Sequence, residues 1–252
     1  MGVANIYAEP AFNSAVTTQC ILGESLRILD SDDEWVKVKQ WDEYEGWIHL
    51  FYLVEKPDDW ATDFEYRRTV GWVYTEPSLE AETCRQISTG VRLPSINKDN
   101  AWTGVLLPDG VTGYVNNQTD LPDGSNVREN ILKTAELYLG TSYLWGGTTG
   151  YGFDCSGFVQ TVFRLNGMNV PRDAYMQAEQ GAALKNRDEI RPGDLLFFTE
   201  KDKVSHVAIA YNTDEFIHCS AFVRRNSLHP EDQHYSKRLH GYYTGANQMI
   251  ED

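Results

Sequence analysis

Short runs in which apolar and polar residues alternate fill the first 122 positions of this chain, as in SLRILD (25–30) and WVKVKQW (35–41), and the runs are separated by Gly, Pro, Asn and Asp. A period of two bounded by turn residues predicts the short strands of small all-β modules. The pattern changes near residue 126. A helix is expected from 127 to 140, with Asn126 or Ser125 as N-cap. A second helix is expected where CSGFVQTVFRLNG (155–167) sets Phe158, Val159, Val162, Phe163 and Leu165 on one face, with Gly167 as its stop. The stretch SHVAIAYNTDEFIHCSA (205–221) reads as a hairpin turning around Asn212, Thr213 and Asp214.

The strand-rich part repeats itself at a constant offset of 67. Tyr7 falls on Tyr74, Glu9 on Glu76, Pro10 on Pro77, Gly23 on Gly90, Trp35 on Trp102, Val38 on Val105 and Gly46 on Gly113, with Trp47 opposite Tyr114. An ungapped series of coincidences means two copies of one barrel-sized module. Residues 1–57 are assigned to the first and 62–122 to the second, with KPDDW between them, while LPDGSN leads into a third unit over 126–252. The fold class is α+β, a mixed unit behind two small all-β barrels.

Candidate chemistry lies in the third unit. Cys155 falls in the first turn of the second helix, where unpaired N–H groups and the helix dipole favour a thiolate. A mirror point at residue 212 pairs His206 with His218 on one face of the hairpin, their Cβ atoms about 5 Å apart. A thiol beside an imidazole base, itself oriented by a third polar group, is the arrangement that nucleophilic catalysis needs. Gly146 and Gly147, just before it, permit close backbone approach. Taken singly, Cys20, Cys84, Cys155 and Cys219 each read as small buried hydrophobes; the combination with two histidines separates Cys155 from the rest.

Six ordered blocks, SYLWGG, FDCSGFV, VPRDAYMQAEQG, RPGDLLFF, SHVAIA and FIHCSA, resemble the NlpC family of cell-wall peptidases over residues 128 to about 245. That resemblance implies a papain-like core in which Cys155 is the nucleophile, His206 the general base, His218 its orienting partner, and Tyr143 a hydroxyl donor to the oxyanion. It implies hydrolysis of peptidoglycan stem peptides, commonly at the γ-D-glutamyl bond to a diamino acid. The repeated modules resemble bacterial SH3-like barrels. By the same resemblance Asp154, Tyr44 and Glu24 hold a free substrate amine, and Ser156, Arg172 and Asp173 contact the stem peptide. Ala174 stands where relatives often carry a small hydroxyl residue. Only the first barrel carries the acid and the tyrosine, since Glu24 and Tyr44 become Val91 and Val111 at the offset. Each has an ordinary reading as well: Asp154 as a helix cap, Tyr44 as a turn aromatic, Glu24 as a solvated acid and Arg172 as a structural ion-pair partner.

A net charge of −15 and a pI near 4.8 exclude nucleic acid and anionic membrane as partners, whose binding needs a basic patch. They suit an amine-bearing substrate. Scattered cysteines and the absence of ligand spacing imply no metal and no cofactor. MGVANIYAEPAF has no basic segment leading into an apolar one, so a cytoplasmic monomer acting on muropeptide fragments in wall recycling is expected. An export signal removed ahead of Met1 stays open. The competing functions are an exported hydrolase anchored to intact wall by its barrels, and a non-catalytic peptidoglycan-binding scaffold.

Overall fold

A computed structural model describes residues 1–251. Its contacts divide the chain into two compact units, Met1–Leu121 and Pro122–Asp252. In the first, strands β1 (Val3–Tyr7), β2 (Val16–Ile21), β3 (Arg27–Asp32), β4 (Trp35–Lys39) and β5 (Glu45–His49) make one antiparallel sheet in the order β2-β1-β5-β4-β3. After the short β6 (Phe64–Glu65) come β7 (Val70–Tyr74), β8 (Thr83–Ser88), β9 (Arg92–Leu93), β10 (Ser95–Lys98), β11 (Trp102–Leu106) and β12 (Thr112–Asn116). Their five-stranded sheet runs β10-β11-β12-β7-β8, the same topology, while β6 pairs with β9. The repeat extends to close contacts. A Cβ on Gly46 would lie 2.5 Å from Ile6 Cγ2 and 2.9 Å from the Tyr7 oxygen; on Gly113 it would lie 2.5 Å from Val73 Cγ1 and 2.8 Å from the Tyr74 oxygen. All four partners are related by the same offset, so each glycine is a place where two strands cross too closely for a side chain.

The two modules lie within the compact unit Met1–Leu121. Ile21 and Leu22 of the first module and Trp60 of the connection pack on the core of the second, around Ile87, Val91 and Leu93. Gly23, at φ +78°, closes on the Arg92 carbonyl. A cavity of about 560 Å³ lies here, lined by Leu22, Glu24, Leu26, Tyr52, Trp60 and Arg85 among others.

The second unit begins with α1 (Val127–Glu136), whose N-cap Asn126 accepts a bond from the Glu129 N–H at 3.2 Å. It ends short of the expected Gly140, because the amides of Tyr138 and Leu139 close tight turns and the Gly140 N–H bonds the Val223 carbonyl. Strands β13 (Thr148–Thr149) and β14 (Gly152–Phe153) form a small ribbon before α2 (Cys155–Leu165). The stop at Gly167 is a two-bond αL cap: the Gly167 N–H reaches Arg164 and the Met168 N–H reaches Phe163, both at 3.0 Å, with Gly167 at φ +77°. After α3 (Ala174–Gln177) come β15 (Ala182–Ala183), β16 (Leu195–Thr199), β17 (Val204–Ala210), β18 (Glu215–Ser220), β19 (Phe222–Ser227), α4 (Lys237–Tyr242) and β20 (Tyr243–Gln248). The sheet runs β15-β20-β16-β17-β18-β19. Leu195, Phe197, Val207, Ile209, Ile217 and Val223 turn to one face and pack on Phe158, Val159, Val162 and Phe163 of α2 and on Ile131 and Ala135 of α1. Leu196, Phe198, Ala208, Ala210 and Phe216 turn to the other, against Leu239 and Tyr242 of α4. The period-two pattern thus buries both faces. Among the described residues no helix is long and apolar enough to cross a membrane.

Gly46→Ala and Gly113→Ala are each expected to destabilise the first unit by about 1–3 kcal/mol through overpacking; an unchanged unfolding midpoint in either variant would show that the strands yield at that crossing.

Candidate active site

Asp154 fixes where α2 begins. Its Oδ1 accepts from the Gly157 N–H at 2.7 Å as N-cap, its Oδ2 accepts from the Gly146 N–H at 3.0 Å, and the Ser156 hydroxyl donates to it at 3.3 Å. Arg172 closes the carboxylate with both guanidinium arms, Nη1 to Oδ1 at 3.0 Å and Nη2 to Oδ2, and Nη1 also reaches the Ser156 hydroxyl at 3.0 Å. Gly146 takes φ +74°, and a Cβ on Gly157 would lie 2.2 Å from the Gly147 oxygen, so the expected close approach at these glycines is between protein segments. Gln177 ties the loop down by donating to the Ser156 and Pro171 carbonyls at 3.1 and 2.7 Å.

This cradle presents Cys155 at the first position of the helix, where its N–H has no intrahelical acceptor. The nucleophile candidate meets the sheet where two strands part. Among the described residues β17 and β18 pair at Ile209↔Ile217 and Ala210↔Phe216 only, and the sulfur lies 4.0 Å from the Ser205 carbonyl, with the Val207 N–H also directed at it. The backbone on both sides of His206 therefore runs past Cys155. Burial, and secondarily the charge of Asp154, push the thiol up to about 12, against the helping Val207 and Ser156 amides and the Arg172 cation. Burial thus opposes the thiolate that the helix N-terminus favours.

Two histidines join beside it. His206 Nε2 and His218 Nδ1 are 2.7 Å apart, and His218 Nε2 is 2.9 Å from Asn226 Oδ1. The hairpin mirror lies at residue 213, one position from the expected 212, because Asn212 accepts from the amides of both Asp214 and Glu215 and tightens the turn. The histidines are consequently diagonal neighbours on one face, not directly opposed. Burial lowers both: His218 to about 4, and His206 well below its usual value, with His218, Arg238 and Arg224 adding to the effect.

Asn226 had no place in the sequence-based assignment, yet it sets the proton pattern. Its Nδ2 donates to the His234 carbonyl at 2.8 Å, so Oδ1 faces His218, whose Nε2 must carry hydrogen. His218 Nδ1 then accepts, His206 Nε2 donates, and the lone pair of neutral His206 is left on Nδ1. The usable signal was a second hairpin: Ser220 pairs with Phe222 across Ala221, putting 216, 218, 224 and 226 on one face.

Tyr143 is half-buried, its N–H bonded to the Ala221 carbonyl at 2.8 Å. Burial and then the neighbouring Cys155 and Asp154 raise its hydroxyl, which stays protonated as a donor. Asp173 is the N-cap residue of α3 without a side-chain cap bond. Arg172, read either as a stem-peptide contact or as a structural ion-pair partner, is 2% exposed with its fork on Asp154, which fits the ion-pair reading. Ser156 is buried in the same network. Glu24 and Tyr44 belong to the first unit. The Glu24 carboxylate accepts from the Ile21 N–H at 3.2 Å and from Gln40 Nε2 at 2.9 Å, so it is built into its barrel and is no freely solvated acid, while the Tyr44 N–H donates to Asp42 at 3.1 Å. Among the described residues no group of three His, Cys, Asp or Glu side chains is arranged to hold a metal.

A helix-start cysteine with a two-histidine relay defines a thiol hydrolase of papain-like build. Comparison with known proteins agrees. A family profile described as NlpC/P60 matches residues 140–250, and one described as the bacterial dipeptidyl-peptidase Sh3 domain matches residues 6–50. The γ-D-glutamyl-L-lysine dipeptidyl-peptidase of Bacillus subtilis is 30% identical over 220 residues, 82% of this chain and 73% of that one. That of Bacillus cereus is 31% identical over 224 residues, 80% of this chain, which spans 66% of the relative's length. Dipeptidyl-peptidase 6 of Lysinibacillus sphaericus is 29% identical over 98% of this chain and 97% of its own. The crystal structure of an NlpC/P60 family protein from Bacillus cereus shares the fold at a TM-score of 0.83, with 23% identity, over 99% of this chain and 98% of that one. The chain belongs to the NlpC/P60 family of cysteine peptidases.

Asn226→Ala, by leaving His218 Nε2 unpaired, is expected to cost about 1–3 kcal/mol, roughly tenfold to a hundredfold in kcat, with little change in KM. Asn226→Asp should move the acid limb of the pH–rate profile upward, because a carboxylate beside His218 favours the imidazolium that the native site disfavours; an unmoved limb argues against the relay. Arg172→Met should lower the stability of the second unit by about 3–5 kcal/mol by stranding Asp154; a purely substrate-binding arginine would leave the melting temperature in place and raise KM.

Proposed function

We propose that this peptidase hydrolyses the bond between the γ-carbonyl of D-Glu and an L-diamino acid in peptidoglycan stem peptides that carry a free N-terminal L-Ala. The observation that carries the chemistry is the Asn226–His218–His206 relay, with His206 next in the chain to Ser205, whose carbonyl lies 4.0 Å from the Cys155 sulfur. The substrate class is supported by the relatives named γ-D-glutamyl-L-lysine dipeptidyl-peptidase, for which the dipeptide from a stem peptide is L-Ala-γ-D-Glu.

In this reading Nδ1 of His206 takes the thiol proton as sulfur bonds to the γ-carbonyl carbon. The oxygen of the tetrahedral intermediate accepts from the Cys155 N–H and the Tyr143 hydroxyl. The carbon–nitrogen bond breaks as His206 returns its proton to the departing amine, and a water activated by the same imidazole releases the thioester. A requirement for a free amine restricts the enzyme to fragments already released from glycan, which suits recycling and not the cutting of intact wall.

L-Ala-γ-D-Glu-L-Lys, the same peptide acetylated on its amine, and purified sacculi are to be incubated with the protein and with Cys155→Ala, and the products weighed by mass spectrometry. Cleavage of the free peptide alone, lost in Cys155→Ala at an unchanged fold, is expected. Equal cleavage of the acetylated peptide or release from sacculi would replace the recycling reading with a wall hydrolase, and full activity in Cys155→Ala would remove the mechanism.

A further inference from the structure

The nitrogen that leaves in the proposed reaction and the carboxyl carbon of the diamino acid are bonded to one α-carbon. Whatever protonates that nitrogen therefore works within a few ångströms of the carboxyl group. In a stem that ends at the diamino acid this group is a carboxylate; in a longer stem it is a neutral amide.

Arg224 stands beside the imidazoles. It is the direct antiparallel partner of His218 in the β18–β19 ladder, so the two side chains leave the same face of the sheet with Cβ atoms about 5 Å apart. Its guanidinium lies over the ring of Phe222, 5.3 Å from the centroid, and that ring is 42% exposed. Stacking of this kind fixes the plane of the guanidinium and leaves its edge free to donate. Among the described residues no carboxylate pairs with Arg224, and its Nε is buried with no hydrogen-bond partner. The neighbouring cations are spoken for: Arg238 pairs with Glu200 at 3.4 Å and Arg225 with Glu136. The chain has 37 acidic residues against 22 Lys and Arg, so an arginine without an acid is the exception. A buried donor without an acceptor is destabilising, and a carboxylate approaching side-on supplies acceptors for Nε and Nη together.

We propose that Arg224 binds the free α-carboxylate of the departing diamino acid and so selects stem peptides that end at that residue. The inference rests on the γ-D-glutamyl cleavage proposed above. It also links binding to chemistry, because the Arg224 charge helps keep both histidines deprotonated, and a carboxylate laid against it offsets that effect when His206 must accept the thiol proton.

The test is kcat/KM for L-Ala-γ-D-Glu-L-Lys against its C-terminal amide, with the whole protein and with Arg224→Gln and Arg224→Lys. The native protein should favour the acid by about tenfold to a hundredfold, the range of a hydrogen bond to a charged group. Arg224→Gln should bring the ratio close to one, mainly through KM for the acid, and Arg224→Lys should keep part of the preference. Equal cleavage of acid and amide by the native protein overturns the proposal without any variant, as does a loss in Arg224→Gln that strikes both peptides alike and keeps their ratio. Native protein that cleaves neither peptide removes the γ-D-glutamyl reading itself, and this inference with it.

Discussion

The carboxylate of Asp154 is the constraint on which the catalytic unit turns. It is 8% exposed, and an ionised carboxyl at that depth is tolerated only when its lone pairs are met by donors. Meeting them recruits three segments: the Gly146 amide, the first turn of α2 through Gly157 and Ser156, and the loop that carries Arg172. Each segment is thereby located relative to Cys155. Gly146 keeps the polypeptide after Tyr143 against the nucleophile, and Arg172 draws the start of α3 onto the same helix end. Without this network the sulfur has no fixed position from which to meet the imidazoles.

The second requirement is met by the sheet. Strands that paired along their full length would leave no opening for a helix end. β17 and β18 pair for two residues beside their turn and then diverge, while β17 holds β16 through a register shift between Phe198 and Thr199. The freed carbonyl of Ser205 and amide of Val207 face the sulfur. His218, on the far side of the opening, is steadied instead by β19 through Asn226. An irregular sheet here places one nucleophile and two rings in a space that regular pairing would close.

How much of this was legible in the sequence follows from what each signal measures. The repeat offset marked the shared five-strand order of the two modules, because identical spacing demands similar turns, and it paired Gly46 with Gly113 at equivalent crossings, while among the described residues the β6–β9 pair has no counterpart in the first module. The face and stop of α2 were legible because periodicity and Gly167 are local properties. The hairpin missed by one residue, since the sequence marks a turn but does not say which amides Asn212 will bind. Parity kept both histidines on one face despite the slip. The Arg172–Asp154 pair was not legible, because pairing between residues 18 apart depends on how α2 and its following loop fold back. Asn226 was missed for the related reason that a diagonal contact across two strands has no fixed spacing.

The charge state of the site shows which effect wins where two oppose. A helix N-terminus favours a thiolate by about 0.3–1 kcal/mol at ordinary exposure. A thiol held at about 12, against its usual 9.0, is disfavoured as thiolate by about 4 kcal/mol. Burial therefore outweighs the dipole, and lowered histidines offer no imidazolium to offset it. Burial thus favours the neutral thiol and neutral imidazoles at rest, the direction opposite to a stored ion pair. That places the weight of activation on groups that act during the reaction: a relay that presents Nδ1 as the lone pair, and donors at the Cys155 amide and Tyr143 that stabilise charge only once it has formed on oxygen.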